Sequence, residues 1–124
     1  MTKRKQLKPS SKHPIEIKPW HGHLTVSVKG QTIADTKQAL LLKEASYEPV
    51  LYIPREDVDM EQLQRNDSTT YCPYKGDASY YDIAIGGTKS KNAVWTYEDP
   101  HESVEVIKGY LAFYEERVDD VLKN

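Results

Sequence analysis

Hydrophobic and polar residues alternate along much of this chain with the two-residue period of strands. The clearest case is residues 23–29, where Leu24, Val26 and Val28 fall on one face and His23, Thr25, Ser27 and Lys29 on the other. Successive strand side chains point to opposite faces, so this segment is a half-buried strand. Gly30-Gln31 predicts a turn and Thr32–Thr36 a returning strand. Residues 79–85 repeat the pattern, with Tyr81, Ile83 and Ile85 set against Tyr80, Asp82 and Ala84. Gly86-Gly87 opens a loop through Asn92, and Ala93–Tyr97 is the strand that pairs back. Prolines bracket Val50–Ile53, which places this short strand at an edge or a strand end.

Two stretches admit more than one reading. Lys37–Ala45 has helix-forming composition, but the short flanking turns favour a strand; Leu40, Leu42 and Glu44 then share one face. Near the C-terminus, Val104, Ile107, Leu111, Tyr114, Val118 and Val121 follow helical spacing, which describes one long helix interrupted by Gly109. The preferred alternative is a short helix ending at Gly109, then a strand Tyr110–Tyr114 with Leu111 and Phe113 inward; the ~1 kcal/mol cost of a helical glycine does not decide between them. Two helix starts are signalled. Asp59-Met60-Glu61-Gln62 has the form of a capping box, flanked by the staple positions Val58 and Leu63, and Asn66-Asp67-Ser68 then breaks the chain. Asp99-Pro100-His101-Glu102 pairs an Asp cap with Pro at the first helical position. The sum is a mostly β, antiparallel domain over 15–124 with one or two short helices.

Composition sharpens this picture. A chain of 124 residues predicts one domain with a single core, and a mean hydropathy of -0.73 implies a strongly polar surface. Nine tyrosines stand against one phenylalanine. A buried tyrosine needs a partner for its hydroxyl, so this balance points to a wet cavity lined by rings. The net charge of -2 gives no general pull toward nucleic acid or an anionic membrane. Positive charge clusters only in Lys3, Arg4, Lys5, Lys8 and Lys12, within a segment, 1–14, that reads as a solvated tail in preference to a nucleic-acid-binding arm. One cysteine fits a reducing interior, no apolar run approaches the ~18 residues of a membrane span, and no hydrophobic segment follows the basic N-terminus. Cytoplasmic placement is the expectation.

The chemistry-bearing residues concentrate in Tyr71–Tyr81, which holds the only cysteine, a lysine, a glycine and four tyrosines. Cys72 has Lys75 three residues away, which favours a thiolate, yet it lacks a C-x-x-C partner and a nearby histidine; packing is the preferred reading. Lys75-Gly76 is not a phosphate loop, since the glycine follows the lysine and a strand follows both. Lys75 is either an exposed lysine or the partner of an anionic ligand or of Glu44. Glu44 is either an inward acid that must be paired or neutralised, or a rim residue at the end of its strand. Trp95 and Tyr97, as alternate residues, combine with Tyr52 and Tyr80 into an aromatic-walled cleft or into a tyrosine-rich core; such a cleft binds flat rings or cations. His21-x-His23, with His13 and His101 elsewhere, falls short of a structural zinc set and reads as exposed histidines. Asp57-x-Asp59 is accounted for by the helix cap, and no metal or cofactor is expected.

Ile33-Ala34-Asp35-Thr36, Glu44, Pro49 with Tyr52-Ile53-Pro54, Thr70 with Cys72-Pro73-Tyr74-Lys75-Gly76, Ala78, Tyr80, Trp95 with Tyr97 and Pro100, and Ala112-Phe113-Tyr114 together resemble the DUF427 family over roughly residues 20–118. The resemblance favours the strand reading of Lys37–Ala45. It implies a β-tent-like (Mss4-like) antiparallel fold, without the paired zinc-binding cysteines common in that wider architecture. The family also carries a nucleotidyltransferase-like label, a minority reading because neither a phosphate-cradling turn nor a convincing acid pair is present. The leading expectation is a pocket walled by Tyr52, Tyr80, Trp95 and Tyr97, with Glu44, Cys72 and Lys75 as its polar groups, binding a small polar or anionic metabolite. If that ligand is turned over, Glu44 is the general base, Lys75 the electrostatic stabiliser and Cys72 the nucleophile. The rival is a protein-interaction module with no small-molecule site.

Overall fold

Three antiparallel sheets carry the protein in the computed structural model, which describes residues 4–124. The first has the order β1 (Ile15–Pro19), β4 (Leu40–Glu44), β5 (Val50–Tyr52). The second places β2 (Leu24–Val28) between β3 (Gln31–Thr36) and β10 (Asp120–Lys123). The third runs β6 (Leu63–Cys72), β7 (Gly76–Ile85), β8 (Thr88–Thr96), β9 (Leu111–Phe113). Lys37–Ala45 is therefore extended, as its flanking turns suggest.

The four-stranded sheet is covered on both faces, and the two-residue period dictates how. On β7, Tyr81, Ile83 and Ile85 face a core shared with Leu24, Val26 and Val28 of β2 and Ile33 and Ala34 of β3. Ala78 and Tyr80 face the other way, toward Leu42 and Tyr52 of the first sheet and Val104, Ile107 and Ala112. Cross-strand pairing keeps the two sets apart: Tyr80 opposes Trp95 and Trp95 opposes Ala112, whereas Tyr81 opposes Val94.

Turn chemistry sets two of the hairpins. Gly86 and Gly87 both have positive φ, at 58° and 77°, which makes a tight two-residue connection, so β8 starts at Thr88 and not after Asn92. The β2–β3 turn is likewise Lys29-Gly30, one residue before the position read from the sequence.

The helical segments are short 3-10 turns, Arg55–Asp57, Met60–Gln62, Glu102–Ile107 and Glu115–Arg117, of which Glu102–Ile107 is two turns meeting at a kink at Val104. At the first signalled start, the Asp59 side chain accepts from the Glu61 N–H, and the one- or two-turn helix that the capping box predicts from Met60 is a single 3-10 turn before Leu63 enters β6. At the second, the flanking residue is His101 and no side chain caps the turn. The C-terminal segment is this pair of 3-10 turns followed by β9, not one long helix. Asn66-Asp67-Ser68 does not break the chain; it is a bulge in β6 between Arg65 and Thr69. A second irregularity, between Tyr81 and Ile83, is filled by the buried Asp82 carboxylate. Asp82 accepts from the Asn92 N–H at 2.9 Å and from Asn66 Nδ2 at 2.7 Å. Burial pushes its pKa up, but these hydrogen bonds win and hold it below the usual aspartate value.

Candidate functional site

β4 carries a carboxylate on an otherwise apolar face. Its register with β1 and β5 sets Ile15, Ile17, Leu40, Leu42, Val50 and Tyr52 on that face, with Glu44 at the end of the row. Glu44 is 8% exposed. A carboxylate there must be neutralised or paired, and two groups from distant parts of the chain pair it. Lys75 Nζ donates to Oε1, and His13 Nε2–H donates to Oε2 at 2.7 Å.

Lys75 is delivered by the turn between β6 and β7. Cys72 pairs with Gly76 across that turn, and the Lys75 N–H donates to the Cys72 carbonyl. Gly76 has φ of +108°, a conformation that L side chains rarely adopt, and this lets the chain re-enter the sheet directly after Lys75. The Lys75 carbonyl accepts from the His101 N–H at 2.9 Å. The ammonium is 6.0 Å from the Tyr97 ring centroid, and the residue is only 9% exposed.

His13, which the sequence reads as an exposed histidine, is half-buried at this site. It stacks on Tyr74 with centroids 3.9 Å apart and planes 6° from parallel, and meets Tyr47 edge-on. The Ala45 N–H donates to the Pro14 carbonyl at 2.8 Å, which holds this segment beside the end of β4. Further upstream, Arg4 pairs with Asp77 and lies 4.3 Å over the Tyr71 ring, and the Leu7 N–H donates to the Pro73 carbonyl. Residues 4–14 thus run along the β6–β7 turn; Lys3 of the basic cluster lies outside the described residues.

The Glu44–Lys75 pair lies at one side of a cavity of about 210 Å³ between the first and third sheets. Tyr52, Tyr80, Trp95 and Tyr97 line it, joined by Tyr47, Glu48, Val50 and Tyr114. Trp95 Nε1–H donates to Tyr52 Oη at 3.3 Å, and the two rings cross at 85°. Trp95 packs against Tyr114 at 4.5 Å, and Tyr80 Oη bonds Thr70 Oγ1 at 2.8 Å. Six of the seven residues singled out in the sequence therefore border one hollow. Cys72 does not border it; its side chain packs against the adjoining cluster of Leu42, Tyr52, Ala78 and Tyr97.

Three of the phenols lining this hollow, Tyr52, Tyr97 and Tyr114, are held in the uncharged form at neutral pH. Burial pushes Tyr52 and Tyr97 well above the ordinary value of 10, and burial with the neighbouring Tyr80 raises Tyr114. The charged groups on the wall are Glu44, Lys75 and, at the exposed rim, Glu48. For Glu44, burial is the largest influence and acts upward. The hydrogen bonds and charges of Lys75 and His13 together outweigh it and set its pKa below the usual glutamate value.

The other polar residues considered in the sequence serve the framework. Asp57 accepts from Thr36 Oγ1 at 2.7 Å, Asp59 caps its 3-10 turn, and His23 bonds Asp35. Among the described residues, no three His, Cys, Asp or Glu side chains converge as a metal-binding group.

A family model described as a domain of unknown function, DUF427, matches residues 16–124. The chain belongs to the DUF427 family. The match spans all three sheets of this DUF427 protein, and every cavity-lining residue lies within it, whereas His13 lies just before it. The model's short name, NTP_transf_9, mentions nucleotidyl transfer. No curated protein matches the chain. Among the described residues, no helix is long and apolar enough to cross a membrane.

Proposed function

We propose that this DUF427 protein is a cytoplasmic small-molecule-binding protein whose ligand enters the cavity between Tyr52, Tyr80, Trp95 and Tyr97 and presents a polar edge to the Glu44–Lys75 pair. The single observation that carries this reading is the convergence of a buried ion pair and four aromatic side chains, from five strands and turns distant in sequence, on one hollow. A buried ion pair is poor value as a stabilising device, because desolvation offsets most of its attraction. Its retention beside an open, ring-walled space favours a binding role. A volume of about 210 Å³ lies below the ~300–1,000 Å³ of drug-sized pockets, so the ligand is a small metabolite carrying one flat ring.

Binding is better supported than turnover. Glu44 is held as a carboxylate by two donors, which makes it a good hydrogen-bond acceptor and a weak base at neutral pH. The Lys75 charge is committed to Glu44, so the site has no free cation for an anionic ligand. Cys72 has no place on the cavity wall from which to attack.

The test is a thermal-shift screen of common nucleotides and metabolites against the wild-type protein and a Glu44→Leu/Lys75→Met double variant. A compound at a hundred times its Kd adds ~2.7 kcal/mol of stability, roughly 10 °C for a chain of this size. At least one compound is expected to shift the wild type and not the double variant. No shift with any compound, or equal shifts in both proteins, would sink the reading.

A further inference from the structure

Tyr97 follows directly on β8 and is only 6% exposed. Its backbone carbonyl accepts from the Gly109 N–H, and its ring centroid lies 6.0 Å from the Lys75 ammonium. Among the described residues, nothing hydrogen-bonds its hydroxyl. No polar side-chain atom sealed inside those residues lacks a partner, so this unpaired oxygen is not sealed. It opens on the cavity of about 210 Å³ that Tyr97 lines. A buried tyrosine ordinarily finds a partner for its hydroxyl. One that is mostly buried, unpaired and set against a hollow points to a ligand.

The neighbouring groups on the wall decide which partner fits. Tyr52 Oη accepts from Trp95 Nε1–H, so its own proton is the part left to give. Burial raises Tyr52 and Tyr97 above the ordinary phenol value, and each keeps its proton at neutral pH. Lys75 Nζ carries three protons and spends one on Glu44 Oε1. Both Glu44 oxygens already accept, one from Lys75 and one from His13. What this corner of the cavity has left to offer is therefore donors. A donor stripped of solvent without an acceptor loses its hydration outright, whereas an acceptor oxygen with a second lone pair unfilled is a lesser loss. Charge is already balanced, because Lys75 neutralises Glu44. An anion seated here would bring a charge with no counter-ion of its own.

On the small-molecule reading given above, we propose that Tyr97 selects the ligand. Its hydroxyl donates to an uncharged acceptor, a carbonyl oxygen or a ring nitrogen, on the flat ring that fills the aromatic cavity. Tyr52 O–H and Lys75 are the flanking donors. An apolar ring of the same shape strands the Tyr97 hydroxyl, and an anionic one finds Lys75 already neutralised.

Three probes of one shape test this: acetophenone, a neutral acceptor; α-methylstyrene, in which a methylene replaces the carbonyl oxygen; and benzoate, an anionic acceptor. Each is titrated while the Trp95 Nε1–H resonance is recorded. Acetophenone is expected to bind about tenfold tighter than α-methylstyrene, the worth of one hydrogen bond, and tighter than benzoate. Tyr97→Phe removes only the hydroxyl. It is expected to bring acetophenone down to α-methylstyrene and to leave α-methylstyrene unchanged. It is also expected to keep the wild-type urea midpoint, since the hydroxyl supports nothing in the fold. Equal binding of the first two probes, a preference for benzoate, acetophenone binding indifferent to Tyr97→Phe, or a variant that loses stability would each overturn the proposal. If none of the three binds while a metabolite from the screen moves Trp95, the neutral-acceptor proposal fails and the small-molecule reading stands. If nothing moves Trp95, both fail.

Discussion

Removing one member of the Glu44–Lys75 pair isolates the energetics on which the site depends. The two residues are 8% and 9% exposed, and each ion gives up several kcal/mol of hydration when buried. In Glu44→Leu the new side chain matches Leu40 and Leu42 on the same face, but Lys75 keeps a buried charge. The Tyr97 ring, 6.0 Å away, returns only ~0.5–2 kcal/mol to such a cation. The expected loss is about 3–5 kcal/mol, or about 12–20 °C in Tm for a chain of this size. Lys75→Met leaves Glu44 with His13 as its remaining side-chain partner, so its loss is smaller, about 2–3 kcal/mol. The double variant removes both charges and fills the space with apolar groups, and it is expected within about 1 kcal/mol of wild type. Urea denaturation, with the slope checked for constancy across the four proteins, yields the coupling directly. Single variants that each lose less than about 1 kcal/mol, or a double variant whose loss equals the sum of the singles, would refute the buried-pair argument.

Other outcomes follow from the same geometry. Because Glu44 sits below its ordinary value of 4.5 in the folded state, its contribution is present above that pH and lost as pH falls through the folded pKa. Acid titration of stability is expected to show a falling limb below pH 4.5 that shrinks in the Glu44→Leu/Lys75→Met protein; an unchanged limb would assign the acid sensitivity elsewhere, with Asp82 the first suspect. His13→Ala removes one Glu44 hydrogen bond and the stack on Tyr74, and about 1–3 kcal/mol of stability is expected to go with them in the same urea assay. Gly76→Ala, at φ of +108°, is expected to lose about 1–3 kcal/mol from strain alone, and to weaken any metabolite found in the screen because Lys75 precedes it; normal stability would show that the turn relaxes freely. Cys72, packed against Tyr52 and Tyr97, is expected to react with a thiol reagent far more slowly in the native protein than in urea, and equal rates would contradict that packing.

What the sequence made legible tracks where one face of a strand is buried and the other is wet. β2 and β7 are legible because Leu24, Val26, Val28, Tyr81, Ile83 and Ile85 enter one core while most of their neighbours face solvent or the second core, the buried Asp82 at the β7 irregularity excepted. β6 carries no such signal. It is an edge strand with most of residues 64–70 exposed, so Asn66-Asp67-Ser68 has turn chemistry and no apolar period to oppose it. β10 is hidden differently: Val121 happens to continue the helical spacing of Val118, and only its pairing with Val26 of β2 fixes it as extended. The capping signal at Asp59 works, though the segment after it is too short to propagate beyond one 3-10 turn, whereas Asp99 caps nothing and the turns of Glu102–Ile107 break at a kink at Val104.

The site was legible where residue type and strand register agree. Glu44 shares a face with Leu40 and Leu42 by period alone, and that face looks into the cavity. His13 offered no such cue, since it sits in a polar, basic segment with no period. The register that pairs Ile15 with Glu44 is what brings it there, and register between distant strands is not encoded in either segment alone. Tyr114 was read as an apolar position, and its hydroxyl environment emerges only from the approach of Tyr80.

The most direct measurement follows the Trp95 Nε1–H resonance while the tightest-binding compound from the metabolite screen is titrated into the wild-type protein and into Glu44→Leu/Lys75→Met. The indole N–H already donates to Tyr52 on the cavity wall, so a ligand seated there must disturb it. A saturable shift in the wild type that disappears in the folded double variant is the predicted result. A compound that binds both proteins while leaving Trp95 unmoved would place its site elsewhere and contradict the account.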